Sequence, residues 1–527
     1  MGRCRAGLLA VALMTATPAV AKRIVVEEAS VGQLQAQMRA GKASSADITR
    51  AYLARVAAMD RKGPTLRSII AINPDALAQA KALDAERKAG RVRGPLHGIP
   101  VLIKDNIETA DPVATTAGSL ALRDNITRRD APLVASLRRA GAVILGKTNL
   151  SEWANIRSTA SMSGWSAVGG LVRNPYALDR TACGSSSGSG AAVAASFATV
   201  AVGTETDGSV VCPSSMNGLV GFKPTVGLIS RSRIVPISHS QDTPGPMGRN
   251  VRDVAILLSA MAGADPTDPA TAGATTRDFA AGLSASALSG MRVGVVRPER
   301  LPADLTARFD AALAVLRAAG ATLVEVRAPD HEELGSAELL VLKTELKAGL
   351  NTYLATTPPA VTTRSLDQVI AFNRAHAAAE MPFFAQETFE DAAKTAGLDD
   401  PAYKAARRTS LRLAGTDGID AMLRAAGAQV LVEPTYAAAW FSDPVYGDQY
   451  GGPSASELPA VAGYPHLTVP MGLMRGLPVG LSFIAGRNAD ATVLGAGYAY
   501  EQRANARVAP QYLPHAPVAT GLDGAAR

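Results

Sequence analysis

Two short runs rich in serine and glycine, Gly184-Ser185-Ser186-Ser187-Gly188-Ser189 and Gly203-Thr204-Glu205-Thr206-Asp207-Gly208-Ser209, bracket an apolar stretch of alanine and valine. Such runs add little stability, because glycine costs backbone entropy and serine competes with regular hydrogen bonding. They suit a place where backbone N–H groups approach a ligand closely and a hydroxyl is held at a turn. The pair therefore reads as a catalytic centre. A third component lies upstream, in Gly94-Pro95-Leu96-His97-Gly98-Ile99-Pro100-Val101-Leu102-Ile103-Lys104-Asp105-Asn106. Residues 101–103 form a short apolar run after Gly and Pro, the pattern of a buried strand. Lys104 ends that strand facing the interior. Burial disfavours its ammonium form and lowers its pKa, which turns a lysine into a usable general base. One lysine and two serines suffice for nucleophilic acyl transfer without histidine.

Each of these residues has a plainer reading. Ser209 taken alone is a cap for a helix starting near Val210. Ser185 taken alone is a polar loop serine, and Ser186 and Ser187 beside it leave the assignment open. Lys104 could end a strand at the surface, but the apolar run before it and Asp105-Asn106 after it favour burial. His97 reads as a structural hydrogen-bonding residue and Asp242 as a residue that orders a loop.

The elements around these loops alternate between strand and helix patterns. Ser44-Ser45-Ala46-Asp47 is a capping-box-like start, followed by one helical face at Ile48, Tyr52 and Val56. Asn73-Pro74 opens another helix that stops near Gly90. A helix over residues 132–139 and a strand over 143–145 follow. Downstream, residues 292–296, 305–318 and 322–326 read as a strand–helix–strand unit. Residues from about 333 to 426 read as a helical excursion beside the active centre. Residues 429–432, 466–470 and 479–484 return to strand. Strands alternating with helices indicate an α/β layer architecture with a buried sheet. With no fixed-period repeat or low-complexity linker, one compact domain is expected.

Composition narrows the class further. Of 527 residues, 47% are apolar, which is globular and ample for a sizeable core. The net charge of +7 is spread without a basic run, so nucleic-acid binding is not suggested. Arg3 and Arg5, the apolar residues 6–16 and Ala19-Val20-Ala21 read as a secretory signal peptide over residues 1–21, cleaved before Lys22. A soluble periplasmic or secreted protein over residues 22–527 is the expectation, without membrane attachment once the leader is removed. Of the three cysteines, Cys4 belongs to the leader. Cys183 and Cys212 read as two small buried thiols, with a bridge between them left open. No Cys/His cluster has zinc-ligand spacing, so neither a metal nor another cofactor is expected.

The three chemical segments resemble those of the amidase signature family, whose members use a Ser-cisSer-Lys triad. The family's Gly-Gly-Ser-Ser-Gly-Gly-Ser stretch corresponds to Cys183-Gly184-Ser185-Ser186-Ser187-Gly188-Ser189, its Asp-x-Gly-Gly-Ser stretch to Glu205-Thr206-Asp207-Gly208-Ser209, and its strand-end lysine to Lys104. Ser185 and Ser209 stand 24 positions apart, the family's spacing between bridging serine and nucleophile. The resemblance continues through Gly146-Lys147-Thr148-Asn149, Gly221-Phe222-Lys223-Pro224-Thr225 and Asp242-Thr243-Pro244-Gly245-Pro246. It implies a mixed β-sheet flanked by helices, a cis peptide bond into Ser185, catalytic Lys104, Ser185 and Ser209, and an oxyanion hole from the backbone of Thr206, Asp207, Gly208 and Ser209. Glu205 and Asp207 depart from the usual Asp and Gly, placing an extra carboxylate beside the nucleophile. A charge there opposes an oxyanion unless its side chain points away.

The stretch from Thr204 to Pro213 and the region around Trp165 look most like the bacterial peptide amidase branch, whose members remove C-terminal amides from peptides. The expected substrate is accordingly a peptide or small-molecule amide, with no obligate protein partner. The competing readings are hydrolysis of fatty acid, aryl or small aliphatic amides, the glutaminase component of a tRNA-dependent amidotransferase, and a non-catalytic periplasmic peptide-binding protein.

Overall fold

A computed structural model describes residues 24–517; the expected leader and its cleavage site lie outside the described residues. Eleven strands build the sheet: β1 (Ile69–Ile72), β2 (Pro100–Lys104), β3 (Val143–Thr148), β4 (Val200–Glu205), β5 (Val220–Lys223), β6 (Thr243–Gly248), β7 (Arg292–Val296), β8 (Thr322–Val326), β9 (Val430–Pro434), β10 (His466–Met474) and β11 (Leu477–Ile484). They are ordered β1-β3-β2-β4-β6-β5-β10-β11-β9-β7-β8. Parallel pairs β2–β3, β2–β4, β7–β8 and β7–β9 are joined by antiparallel ones, so the sheet is mixed. Helices flank it, and the chain forms one α/β domain as the sequence suggests.

The central strands are apolar without alternation because both faces are covered. Every residue of β2 and β4 is buried. The two strands run parallel with Ile103 opposite Val202. Lys104 and the segment after Thr204 therefore leave the sheet at the same edge, the carboxyl end, where open α/β sheets place their ligands. Between them the chain turns through Ser185 and Ser186 into the helix Ser187–Ala194. That helix is built only of Ser, Gly, Ala and Val and is buried throughout. Its small side chains let it lie directly on the sheet, where Ser189 Oγ sits 2.7 Å from Thr148 Oγ1.

The helix Ser45–Met59 carries the predicted capping box, Ser44 accepting from the Asp47 N–H and Asp47 from the Ser44 N–H. The helix expected from Asn73-Pro74 starts later, at Ala76, and ends at Lys88 ahead of Gly90. From Leu334 to Ala426 every element is helical, the longest being Leu334–Ala355. Strand β6 carries no strand signal in sequence, since Thr243-Pro244-Gly245-Pro246 reads as a breaker. Its prolines are tolerated because β4 alone pairs with them, Pro244 opposite Thr204 and Pro246 opposite Val202. Strand β5 reaches only Met247 and Gly248.

Candidate active site

Lys104 and Ser185 meet at the carboxyl edge of β2 and β4, and the Ser209 loop lies against theirs, the Ser186 N–H donating to the Ser209 carbonyl at 3.1 Å. Lys104 is fully buried, and its Nζ lies 2.7 Å from Ser185 Oγ. The same nitrogen contacts Thr204 Oγ1 at 2.8 Å and donates to the Thr204 carbonyl at 3.1 Å. Burial lowers the lysine pKa to about 7, while the Asp242 and Glu205 charges pull it back up. A substantial fraction of the amine is thus neutral near pH 7.

The serine run, ambiguous in sequence, is resolved by contacts. Ser185 follows a cis peptide bond from Gly184 and faces Lys104. Ser186 is a splice: its N–H donates to the Ser209 carbonyl at 3.1 Å, and its Oγ accepts from Thr204 N at 3.2 Å while donating to Thr204 O at 3.1 Å. It thereby joins the loops of Ser185 and Ser209 to β4. Gly203 is needed for this approach, because a Cβ there would lie 2.7 Å from Ser186 Oγ. Ser187 opens the helix instead.

Ser209 is not a helix cap. The helix Val211–Met216 has Val210 at its N-cap position with no side-chain cap. The buried donors at its start are met by Glu205, whose Oε2 accepts from Val210 N at 2.8 Å and Val211 N at 3.0 Å. The extra acid of this loop is Asp207, which lines the cavity over Ser209, whereas Glu205 stands at the usual Asp position. The Glu205 carboxylate points into the protein, with Lys223 as its nearby countercharge. Burial in turn lowers Lys223 to about 8. Burial, and then the Lys223 charge, holds His466 neutral, at about 3.

The segment from Thr206 to Ser209 is anchored at both ends, at Ser209 by the Ser186 N–H described above. Thr206 Oγ1 donates to Asp242 Oδ1 at 2.6 Å. Asp242 Oδ2 accepts from Ile237 and Ser238 N–H, so this residue orders its loop as expected, and burial raises it to about 6. Burial raises the Asp207 pKa, with Ser456 and the Lys223 charge opposing the shift, and its Oδ1 is buried without a hydrogen-bond partner among the described residues. Gly208 has φ +74°, and a Cβ there would run into Tyr436 Oη and Ser456 Oγ. His97 is buried, its Nε2 3.0 Å from the Leu83 carbonyl, a structural role as expected.

A cavity of about 430 Å³ opens over Ser209, lined by Gly184, Thr206, Asp207, Gly208, Ile237, Leu342, Tyr436, Tyr450 and Ser456 among others. Leu342 belongs to the helical excursion, which therefore borders the site. On the facing wall, Ala154, Asn155 and Ile156 are braced by buried Arg157. Its Nε lies 2.7 Å from Glu152 Oε2, and its guanidinium covers the Phe384 ring at 4.2 Å. Thr204 and Asn106 lie in the segments singled out in the sequence but with no role read for either, and nothing in the sequence signals Tyr436 or Ser456 before distant segments meet.

Cys183 and Cys212 correct the expectation of two free thiols. They form a disulfide, S–S 1.99 Å, with Cα atoms 6.0 Å apart. Both line the cavity. The loop before Ser185 and the helix after Ser209 converge at the site, and that convergence brings two cysteines 29 positions apart into bonding range. Among the described residues no three His, Cys, Asp or Glu side chains group as a metal site would require. No helix among them is long and apolar enough to cross a membrane.

The family described as Amidase matches residues 47–494 of this sequence. The chain belongs to the amidase family. Native peptide amidase from Stenotrophomonas maltophilia is 51% identical, with a TM-score of 0.87 over 92% of this chain and 99% of that one. A probable amidase of Arabidopsis thaliana is 36% identical over 501 residues, 93% of this chain and 92% of its own length. A glutamyl-tRNA(Gln) amidotransferase component from Halorhodospira halophila is 35% identical over 90% of this chain and 97% of its own. This amidase family member is thus an amide hydrolase.

Proposed function

We propose that this amidase removes the C-terminal carboxamide of peptides as ammonia, through Ser209, Ser185 and Lys104. The contact that carries the mechanism is the 2.7 Å approach of Lys104 Nζ to Ser185 Oγ in a fully buried setting. Ser209 Oγ attacks the carboxamide carbonyl while its proton passes to Ser185, and Ser185 passes one to the neutral amine of Lys104. Backbone N–H groups of Thr206, Asp207, Gly208 and Ser209 stabilise the oxyanion, a contribution of about 3–4 kcal/mol per donor in comparable sites. Collapse of the tetrahedral intermediate breaks the C–N bond. The relay returns its proton to the leaving nitrogen, which departs as ammonia. Water, deprotonated by the same relay, then attacks the acyl-enzyme and releases the acid and Ser209.

Support for a peptide substrate comes from the 51% identity to peptide amidase. The cavity over Ser209 adds walls of Tyr436, Tyr450, Ile237 and Leu342, suited to a chain rather than a bare amide. We place the mature protein outside the cytoplasm. The leader pattern supports this, as does a disulfide at the site, since such bonds persist in oxidising compartments. No protein partner is invoked. An ammonia-release screen over amidated peptides, free Asn and Gln, and fatty and aryl amides tests the substrate reading. Amidated peptides are expected to lead in kcat/KM, and a clear preference for any other class rejects it.

A further inference from the structure

Thr204 supplies two of the three groups around the Lys104 amine, and the hydrogen-bond count gives it a task. An ammonium donates to all three neighbours: Ser185 Oγ, Thr204 Oγ1 and the Thr204 carbonyl. A neutral amine has only two N–H bonds and one lone pair. The carbonyl can only accept, so it takes one N–H. The other N–H and the lone pair are divided between the two hydroxyls. If Ser185 receives the N–H, the base faces Thr204 and the relay is broken.

We propose that Thr204 is a positioning residue, whose carbonyl and hydroxyl take up both N–H bonds of the neutral Lys104 amine and turn its lone pair toward Ser185. The proposal rests on the Lys104–Ser185–Ser209 reading above. The hydroxyl is held for this role. Asn106 Nδ2 donates to Thr204 Oγ1 at 2.9 Å, and the Thr204 backbone is clasped on both its N–H and its carbonyl by Ser186. Thr204 stands on β4, which runs parallel to the lysine's own strand, so its distance from Lys104 is set by the sheet. It does not line the cavity over Ser209 but an adjoining one of about 580 Å³, with Asn106, Thr206 and Asp242.

A valine at this position keeps the β-branched shape and removes the oxygen. The second N–H then has only Ser185 Oγ to meet, and the lone pair faces a methyl group. Thr204→Val is expected to lower kcat about 10²-fold, the scale of a misplaced reacting group, with little change in KM. Loss of an acceptor for the ammonium also weakens proton binding, so the acid limb of kcat moves to lower pH. The other charges acting on Lys104 are Asp242, just before β6, and Glu205 at the end of β4; the adjacent Asp105 is paired with Lys147 at 2.9 Å. All are retained in every variant.

The test is a pH–kcat and KM series on an amidated peptide for wild type, Thr204→Val, Thr204→Ala and Thr204→Ser, with Ser209→Ala alongside. Serine is expected to restore most of kcat and the wild-type acid limb, and alanine to match valine. Should valine not fold, alanine and serine decide between them. Wild-type kcat and acid limb in the oxygen-free variants, or a serine variant as impaired as they are, overturns the proposal. Turnover by Ser209→Ala instead overturns the relay reading on which it stands.

Discussion

Lys104 Nζ and Ser185 Oγ, brought together from strand β2 and from the loop before the helix Ser187–Ala194, are 2.7 Å apart with neither side chain exposed. A buried lysine at a neutral hydroxyl gains nothing for stability that an apolar residue of similar volume would not supply. In the proposed relay its value is chemical, as a base whose ammonium form is disfavoured at the strand end where the Ser209 loop emerges.

If the relay runs as described, Ser209→Ala lowers kcat by about 10⁴-fold or more, while circular dichroism and thermal unfolding stay close to wild type. Ser185→Ala and Lys104→Ala are expected to be severely impaired as well, since each interrupts the same proton path. Steady-state ammonia release on purified variants measures this. A wild-type-like rate in any of the three rejects the assignment.

The acid limb of the rate profile follows from the lysine. Only the neutral amine accepts the Ser185 proton, and burial lowers its pKa to about 7. Activity is expected to fall as pH drops through that value and to level off above it until other groups titrate. A profile flat from about pH 5 to 9, with the protein folded throughout, contradicts Lys104 as base.

The disulfide ties the residue preceding Gly184–Ser185 to the helix that follows Ser209. Its loss releases a closed loop in the unfolded chain and loosens both serine loops, at a cost of about 2–4 kcal/mol. Cys183→Ser combined with Cys212→Ser is expected to unfold at lower temperature and turn over more slowly. In a chain begun at Lys22, thiol labelling under denaturing conditions is expected to find two thiols only after reduction. Two labelled thiols without reductant contradict the bond.

The Glu205 carboxylate meets the open N–H groups of the helix after the nucleophile, and it faces Lys223 in the interior. Replacing it with glutamine leaves the buried lysine without its largest countercharge. Leaving a buried charge without its countercharge is destabilising. Glu205→Gln is therefore expected to lower both Tm and kcat, and differential scanning calorimetry with an activity assay checks the pair of effects. A Tm within a degree of wild type contradicts this account of Glu205.

Much of the site is legible in the sequence because its chemistry is local. Ser185, Ser209 and Lys104 each sit in a short motif, and the apolar run before Lys104 announces a buried strand end. What escapes depends on segments far apart in sequence. Thr204 sits inside the second serine- and glycine-rich run without a role of its own until β2 lies beside β4. Glu205 reads only as a replacement for the usual Asp until its carboxylate is found accepting from the Val210 and Val211 N–H groups. The Cys183–Cys212 bond requires two loops to converge, and β6 hides behind two prolines that only a one-sided pairing tolerates. The edge strand β1 is four residues long, too short to carry a pattern.

The central claim is hydrolysis of a peptide's C-terminal carboxamide by the Ser209 relay. It is tested most directly by mass spectrometry on an amidated peptide that also carries an internal glutamine, incubated with wild type and with Ser209→Ala. The expected result is a gain of about one mass unit, the change from amide to acid, localised to the C-terminus with wild type and absent with the variant. A gain at the glutamine, cleavage of the chain, or C-terminal conversion by Ser209→Ala contradicts the claim.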